Sequence, residues 1–169
     1  DDESLAEAYE REQERRETKA PAGSVRFELK HKDLDLFGAS AAYQWLRTRA
    51  GVQFIPLGTR GYVVLWPCVE TEGLWDVVWV PEDKSPWQRL RTCLDLGMAM
   101  AWAESDADER SDLNTGKKAA WRRKPASEAQ LRYAANLGQP VTEGMKAGEV
   151  GDLISLGLAS RKIVRFVRR

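Results

Sequence analysis

Gly51–Pro81, GVQFIPLGTRGYVVLWPCVETEGLWDVVWVP, is the stretch that decides the fold. Three runs rich in β-branched and aromatic residues, Gly51–Leu57, Tyr62–Glu70 and Leu74–Pro81, are cut by Gly58-Thr-Arg-Gly61 and Thr71-Glu-Gly73. Turns this short pair neighbouring strands antiparallel, so the reading is a meander. In the third run Trp75, Val77 and Trp79 point one way, Val78 and Val80 the other. Both faces are apolar. Helices are expected on one, and a further contact on the other.

Working outward, Ser85-Pro86 reads as a helix opening, a capping serine followed by proline at the first helical position. Trp87, Leu90, Leu94, Met98 and Ala101/Trp102 then recur at helical spacing, predicting one long helix across the sheet to about Glu104. Met98, Met100 and Trp102 read as core, not as a cofactor box. Ser105–Asp112, SDADERSD, reads as an acidic, solvated break. Its carboxylates lack the glycine and spacing of a calcium loop. Upstream, Ser24–Lys30 alternates Val25, Phe27 and Leu29 with charged residues, a strand pattern; Asp33–Phe37 follows, and Ala39–Arg47 reads as a short helix. Asp1–Lys19 is a charged linker helix with pairs such as Glu7–Arg11, stopped by Pro21-Ala-Gly23. The predicted class is α+β: a lead-in helix (1–23), a Trp-rich meander packed by a long helix (24–112) and a basic helical hairpin (113–169).

The net charge of zero conceals an asymmetry. From Lys117 onward there are 12 Lys+Arg against 4 Asp+Glu, so the preceding residues carry the balancing −8. A basic tail on an acidic body points to a polyanionic partner, or to a solvated face paired with its own acidic half. Lys117–Lys124, KKAAWRRK, interleaves Lys117, Lys118, Arg122, Arg123 and Lys124 with Trp121. Cations gain from phosphates by counterion release, and an indole stacks on an unpaired base. The alternative is a surface segment anchored by Trp121. Ser127 and Gln130 then form a capping-box signature, Leu131, Ala134, Ala135 and Leu137 a small apolar stripe, and Gly138 a stop. Val150, Leu153, Ile154 and Leu158 mark a second helix, with Arg161, Lys162, Arg165, Arg168 and Arg169 beyond it; Ile163–Arg169 is open between helix, strand and loose end. Neither helix is long enough to stand alone in water, so the two must pack together.

KPASEAQLRYAANLG and KAGEVGDLISLGLASRK together resemble a short helical module at the tail of several helicases and exonucleases. Its Ser/Thr-x-x-Gln start, Leu-Gly stop and Gly-Glu-x-x-Asp-Leu-Ile segment correspond to Ser127, Gln130, Leu137, Gly138, Gly148, Glu149, Asp152, Leu153 and Ile154. With the Trp-rich strands, the span from Ser4 to Lys162 is similar to the C-terminal region of actinobacterial DEAD/DEAH-box (superfamily 2) helicases. The resemblance implies an ATP-driven motor lying upstream. The sequence here has no G-x-x-x-x-G-K-[ST] and no Asp-Glu-Ala-Asp or Asp-Glu-x-His box, so the motor residues have no positions on it. The first residue, Asp1, fits a piece of a longer protein.

Two cysteines, Cys68 and Cys93, and one histidine, His31, argue against a four-ligand zinc set and against a disulfide framework; a reducing cytoplasm is the default. No run approaches 18 apolar residues and no basic-then-apolar leader opens the chain. A hydrolase would need Cys68 or Cys93 paired with His31. Magnesium chemistry would need pairs such as Asp33/Asp35 or Asp106/Asp108, which arise by chance in so charged a chain. The expectation is therefore no catalysis, no metal and no cofactor in this piece. It is instead an accessory nucleic-acid-binding unit, DNA before RNA, of a cytoplasmic helicase. Lys117, Lys118, Arg122, Arg123, Lys124, Arg132, Arg161, Lys162 and Arg165 would contact the strand, and Trp121 or an exposed sheet tryptophan, Trp66 or Trp79, would stack. The rival is a docking module whose tryptophans contact the motor or another subunit.

Overall fold

The computed structural model describes residues 42–111 and 116–167, with side chains as far as Ile163. The lead-in helix, the strand at Ser24–Lys30, the Asp33–Phe37 segment, His31, the Arg165 side chain and Arg168–Arg169 lie outside the described residues.

The meander forms as expected. Strands β1 (Leu46–Arg47), β2 (Gln53–Pro56), β3 (Tyr62–Pro67), β4 (Trp75–Val80) and β5 (Gln88–Leu94) make one antiparallel sheet in sequence order. The β2–β3 link is a 3₁₀ turn, Gly58–Arg60, closed by Gly61. Gly61 has φ of +94°, and a Cβ there would stand 2.0 Å from the Val80 carbonyl oxygen, so only glycine fits.

Two predictions upstream and downstream of the meander are corrected. Within Ala39–Arg47, the described part holds no helix: Tyr43 bridges to Gly116, and Leu46–Arg47 is a strand. The long helix predicted from Ser85-Pro86 does not begin there either. Gln88–Leu94 is β5, and the helix α1 spans Leu96–Arg110, capped by Asp95, whose Oδ1 accepts from the Met98 N–H at 2.9 Å. The cause is arithmetic: Leu90, Leu94 and Met98 are four apart, and four is one helical turn but also an even number, so the spacing suits a strand equally. The helix therefore continues through Ser105–Arg110 instead of breaking. Its acidic residues are acceptors: Tyr43 donates to Asp108, Trp45 Nε1 to Glu104 at 3.0 Å, and Arg91 to Asp106 at 3.3 Å. Met100 is buried, as expected of core. Met98 and Trp102, however, are 48% and 38% exposed, and the Arg91 guanidinium of β5 stands 4.0 Å from the Trp102 ring centre.

Each sheet face carries its own core. On one, Ile55, Val63, Leu65 and Val77 meet the small-residue stripe Ala99, Ala103 and Ala107 of α1. On the other, Phe54, Val64, Val78 and Val80 meet Ala159 and Ile163 of the helix Ala147–Val167. Each fully buried aliphatic side chain contributes about 1.5–3 kcal/mol. The further contact expected on the second sheet face is thus made by the chain's own tail.

That tail contains a 3₁₀ turn (Ala120–Arg123), α2 (Glu128–Asn136) and α3 (Ala147–Val167). The Ser127–Gln130 capping box is present, both of its hydrogen bonds made. The two helices run in the same sense, not as a hairpin. Pro125 bridges Lys146, and the Ala147 N–H donates to the Lys124 carbonyl at 2.7 Å, joining their starts. At the far end Leu137 packs against Gly157. The loop between them retraces the length of α2, because a bridge just before each helix pins both beginnings together.

Cys68 and Cys93 are joined as a disulfide, their Cα atoms 5.4 Å apart. This corrects the expectation that the two cysteines form no disulfide, which was the ground for a reducing cytoplasm; spacing along the chain gave no sign of the pairing. It arises because β5 carries register shifts against β4 near Val77, and Cys93 takes a left-handed backbone with φ of +53°.

Candidate functional site

The basic run divides into residues that face inward and residues that face water. Trp121 and Arg122 face inward. The Trp121 ring lies against Gly151, where a Cβ would sit 3.5 Å from Cη2 and Cζ3. Arg122 pairs with Asp152 through Nη1–Oδ1 at 3.1 Å and Nη2–Oδ2 at 2.5 Å, and its guanidinium stands 5.4 Å from the Trp121 ring centre. A Cβ on Gly148 would come within 2.7 Å of the Arg122 Cβ. The Gly-Glu-x-x-Asp signature is therefore explained by packing: Gly148 and Asp152, with Gly151 between them, receive the Trp-Arg of the preceding turn. Burial raises the Asp152 carboxyl above the ordinary aspartate range, although Arg122 pulls it down.

Facing outward are Lys118, Arg123, Lys124 and Arg132, all exposed, with Lys117 half-buried. The Pro125–Lys146 bridge sets Lys146 beside Lys124 and Arg123, and Lys146 is exposed too. Lys118, Arg123, Lys124, Arg132 and Lys146 make no ion pair among the described residues. Sequence reading missed Lys146, since 22 residues separate it from Lys124 and only the bridge reveals the neighbourhood.

Other expected members do not join this cluster. Arg161 is exposed, but it lies 15 residues beyond Lys146, and a helical rise of 1.5 Å per residue puts it about 20 Å away. Lys162 is tied to the body: its Nζ donates to the carbonyls of Pro81 and of Asp83, the latter at 2.9 Å, and burial lowers its pKa. Trp66 is only 3% exposed and packs edge-on against Trp87, ring centres 5.5 Å apart, so it offers no face to a base. Trp79 is half-buried; its indole N–H donates to the Arg60 carbonyl at 2.9 Å, and Arg110 stands 4.9 Å from its ring centre.

A second cluster lies at the corner of the sheet. Asp76, with no exposure, accepts from the Cys93 N–H and from Arg89 Nε, each at 2.9 Å. Arg89 also grips Glu70 with both terminal nitrogens, and this contact holds the Glu70 carboxyl below its ordinary range. Cys68 Sγ lies 3.2 Å from Glu70 Oε2. The donor atoms of Cys68, Glu70, Asp76 and Cys93 are all within 4.8 Å of one another. Counting cysteines and histidines alone overlooked the carboxylates.

Among known proteins, no family model, no curated protein and no solved structure matches this chain. No helix among the described residues is long and apolar enough to cross a membrane.

Proposed function

We propose that this chain is an accessory nucleic-acid-binding unit of a cytoplasmic helicase or translocase, without catalysis of its own, acting on DNA before RNA. The observation that carries the reading is the exposure of Arg123, Lys124 and Lys146, whose backbones the Pro125–Lys146 bridge brings together; like the exposed Lys118 and Arg132 of the same tail, they make no ion pair among the described residues. Exposed, uncompensated cations gain from phosphate by releasing counterions. The resemblance of the tail to helicase C-terminal regions supplies the context. Trp121 is assigned to holding the turn on α3, not to stacking.

The test is a charge reversal at Arg123, Lys124 and Lys146 to glutamate, leaving Arg122 intact. Oligonucleotide affinity should fall, and the slope of log affinity against log salt should shrink by about 2–3, with the thermal midpoint little changed. An unaltered slope in a folded variant rules the cluster out.

Docking onto a motor or another subunit is the second reading, favoured by exposed Met98 and Trp102 on α1. A Met98→Ser, Trp102→Ala variant that loses association with a motor while keeping its salt slope supports that reading.

A further inference from the structure

The corner that joins β3, β4 and β5 contains more than a disulfide requires. A cross-link between two strands needs no carboxylates beside its sulfurs, yet Asp76 is buried there without exposure and Glu70 closes the mouth, its side chain 54% exposed. Both acids are held in place. Arg89 reaches Asp76 and Glu70 together, and the Cys93 N–H fixes the second oxygen of Asp76. Cys93 is the one non-glycine residue described with a positive φ. A left-handed backbone at a bulge is how its sulfur meets that of Cys68.

We propose that Cys68, Cys93, Asp76 and Glu70 form a redox-gated site for a thiophilic divalent cation, Zn²⁺, with the disulfide as its closed, metal-free state. Two sulfur and two oxygen donors within 4.8 Å suit a borderline-soft ion that takes four ligands. Charge supports the exchange. With the disulfide closed, two carboxylates against Arg89 leave the corner at −1, counting the described residues alone. Two bare thiolates would take it to −3, and one Zn²⁺ returns it to −1. The same scaffold therefore accommodates either state, whereas free thiolates would be costly in it. Arg89 and the Cys93 N–H serve as outer partners that orient the carboxylate ligands.

The opening step balances as thiol–disulfide exchange with a small dithiol. The Cys68–Cys93 bond breaks, the dithiol closes to its own disulfide, and its two electrons and two protons pass to the protein sulfurs. Zn²⁺ then displaces both thiol protons to solvent.

The full chain, reduced and held without oxygen, should be titrated with Co²⁺ as the spectroscopic probe. The expected result is thiolate-to-cobalt charge transfer and tetrahedral ligand-field bands at one Co²⁺ per chain, bleached by Zn²⁺. The oxidised chain should show none. Cys93→Ser, which leaves one thiolate of the two, should weaken the charge-transfer band by half or more. Glu70→Gln, altered at the exposed rim where folding is least at risk, should bind at least tenfold more weakly. The proposal is overturned if the reduced chain, folded by circular dichroism, takes up no Co²⁺, or if the disulfide resists reduction in the folded protein. It is equally overturned if the oxidised chain or the Glu70→Gln variant binds as well as the reduced parent.

Discussion

Arg89 and Arg122 each clamp an aspartate, but in different surroundings. Arg89 serves Asp76 inside the sheet, where no water reaches the carboxylate, and its other nitrogens extend to Glu70 at the rim. Arg122 serves Asp152 in the tail, with side chains 16% and 20% exposed, between glycines that let a turn and a helix touch. The sheet clamp is surrounded by strands that bury their side chains on both faces. The tail has few fully buried side chains, and its geometry rests on single fits: Arg122 to Asp152, Trp121 to Gly151, Leu137 to Gly157. One region is held by burial and the other by pairwise complementarity.

The largest expected effect comes from breaking the sheet clamp. Arg89→Ala removes the guanidinium from the enclosed Asp76 carboxyl, and should cost about 3 kcal/mol of global stability in denaturant. A loss under about 1 kcal/mol would show that water reaches Asp76 after all. Arg122→Ala should cost less, about 1–2 kcal/mol, because solvent already screens its partner. Its loss should appear locally, as faster amide exchange at the start of α3 while the sheet stays protected. Uniform acceleration across the sheet would mean that the two regions unfold as one.

The smallest effect sharpens the contrast through pH. Burial raises Asp152, so the folded state takes its proton more readily than the unfolded one. Its contribution is fully present below the unfolded pKa and is lost as pH rises through the folded value. Glu70 is lowered, first by its hydrogen bond to Arg89, so its contribution is present above the unfolded pKa and is lost as pH falls through the folded value. Carboxyl titration by NMR should place Asp152 above ordinary aspartate and Glu70 below ordinary glutamate. The reverse order would undo the distinction between the clamps.

The α+β class and three central strands were legible because alternation and short glycine turns specify a meander locally. β5 was not, since its apolar spacing fits two periods and only Asp95, a cap, marks where the helix begins. The capping box was legible because it is four consecutive residues. The fate of Trp121 and Arg122 was not, because a basic run looks the same whether its arginine meets a phosphate or an aspartate 30 residues on. Lys146 and the Cys68–Asp76–Cys93 corner share that difficulty: each depends on a bridge or a bulge that couples distant positions.

The shifted register of β5 has one more effect. An open strand at the margin of a sheet normally invites another chain to pair with it, and long flat margins promote aggregation. Here one margin is a strand of two residues and the other is kinked and studded with Arg89 and Arg91. A visiting strand would find no straight ladder there to extend. A partner at these described margins is left to grip by side chains, through cations or exposed rings, instead of by backbone pairing.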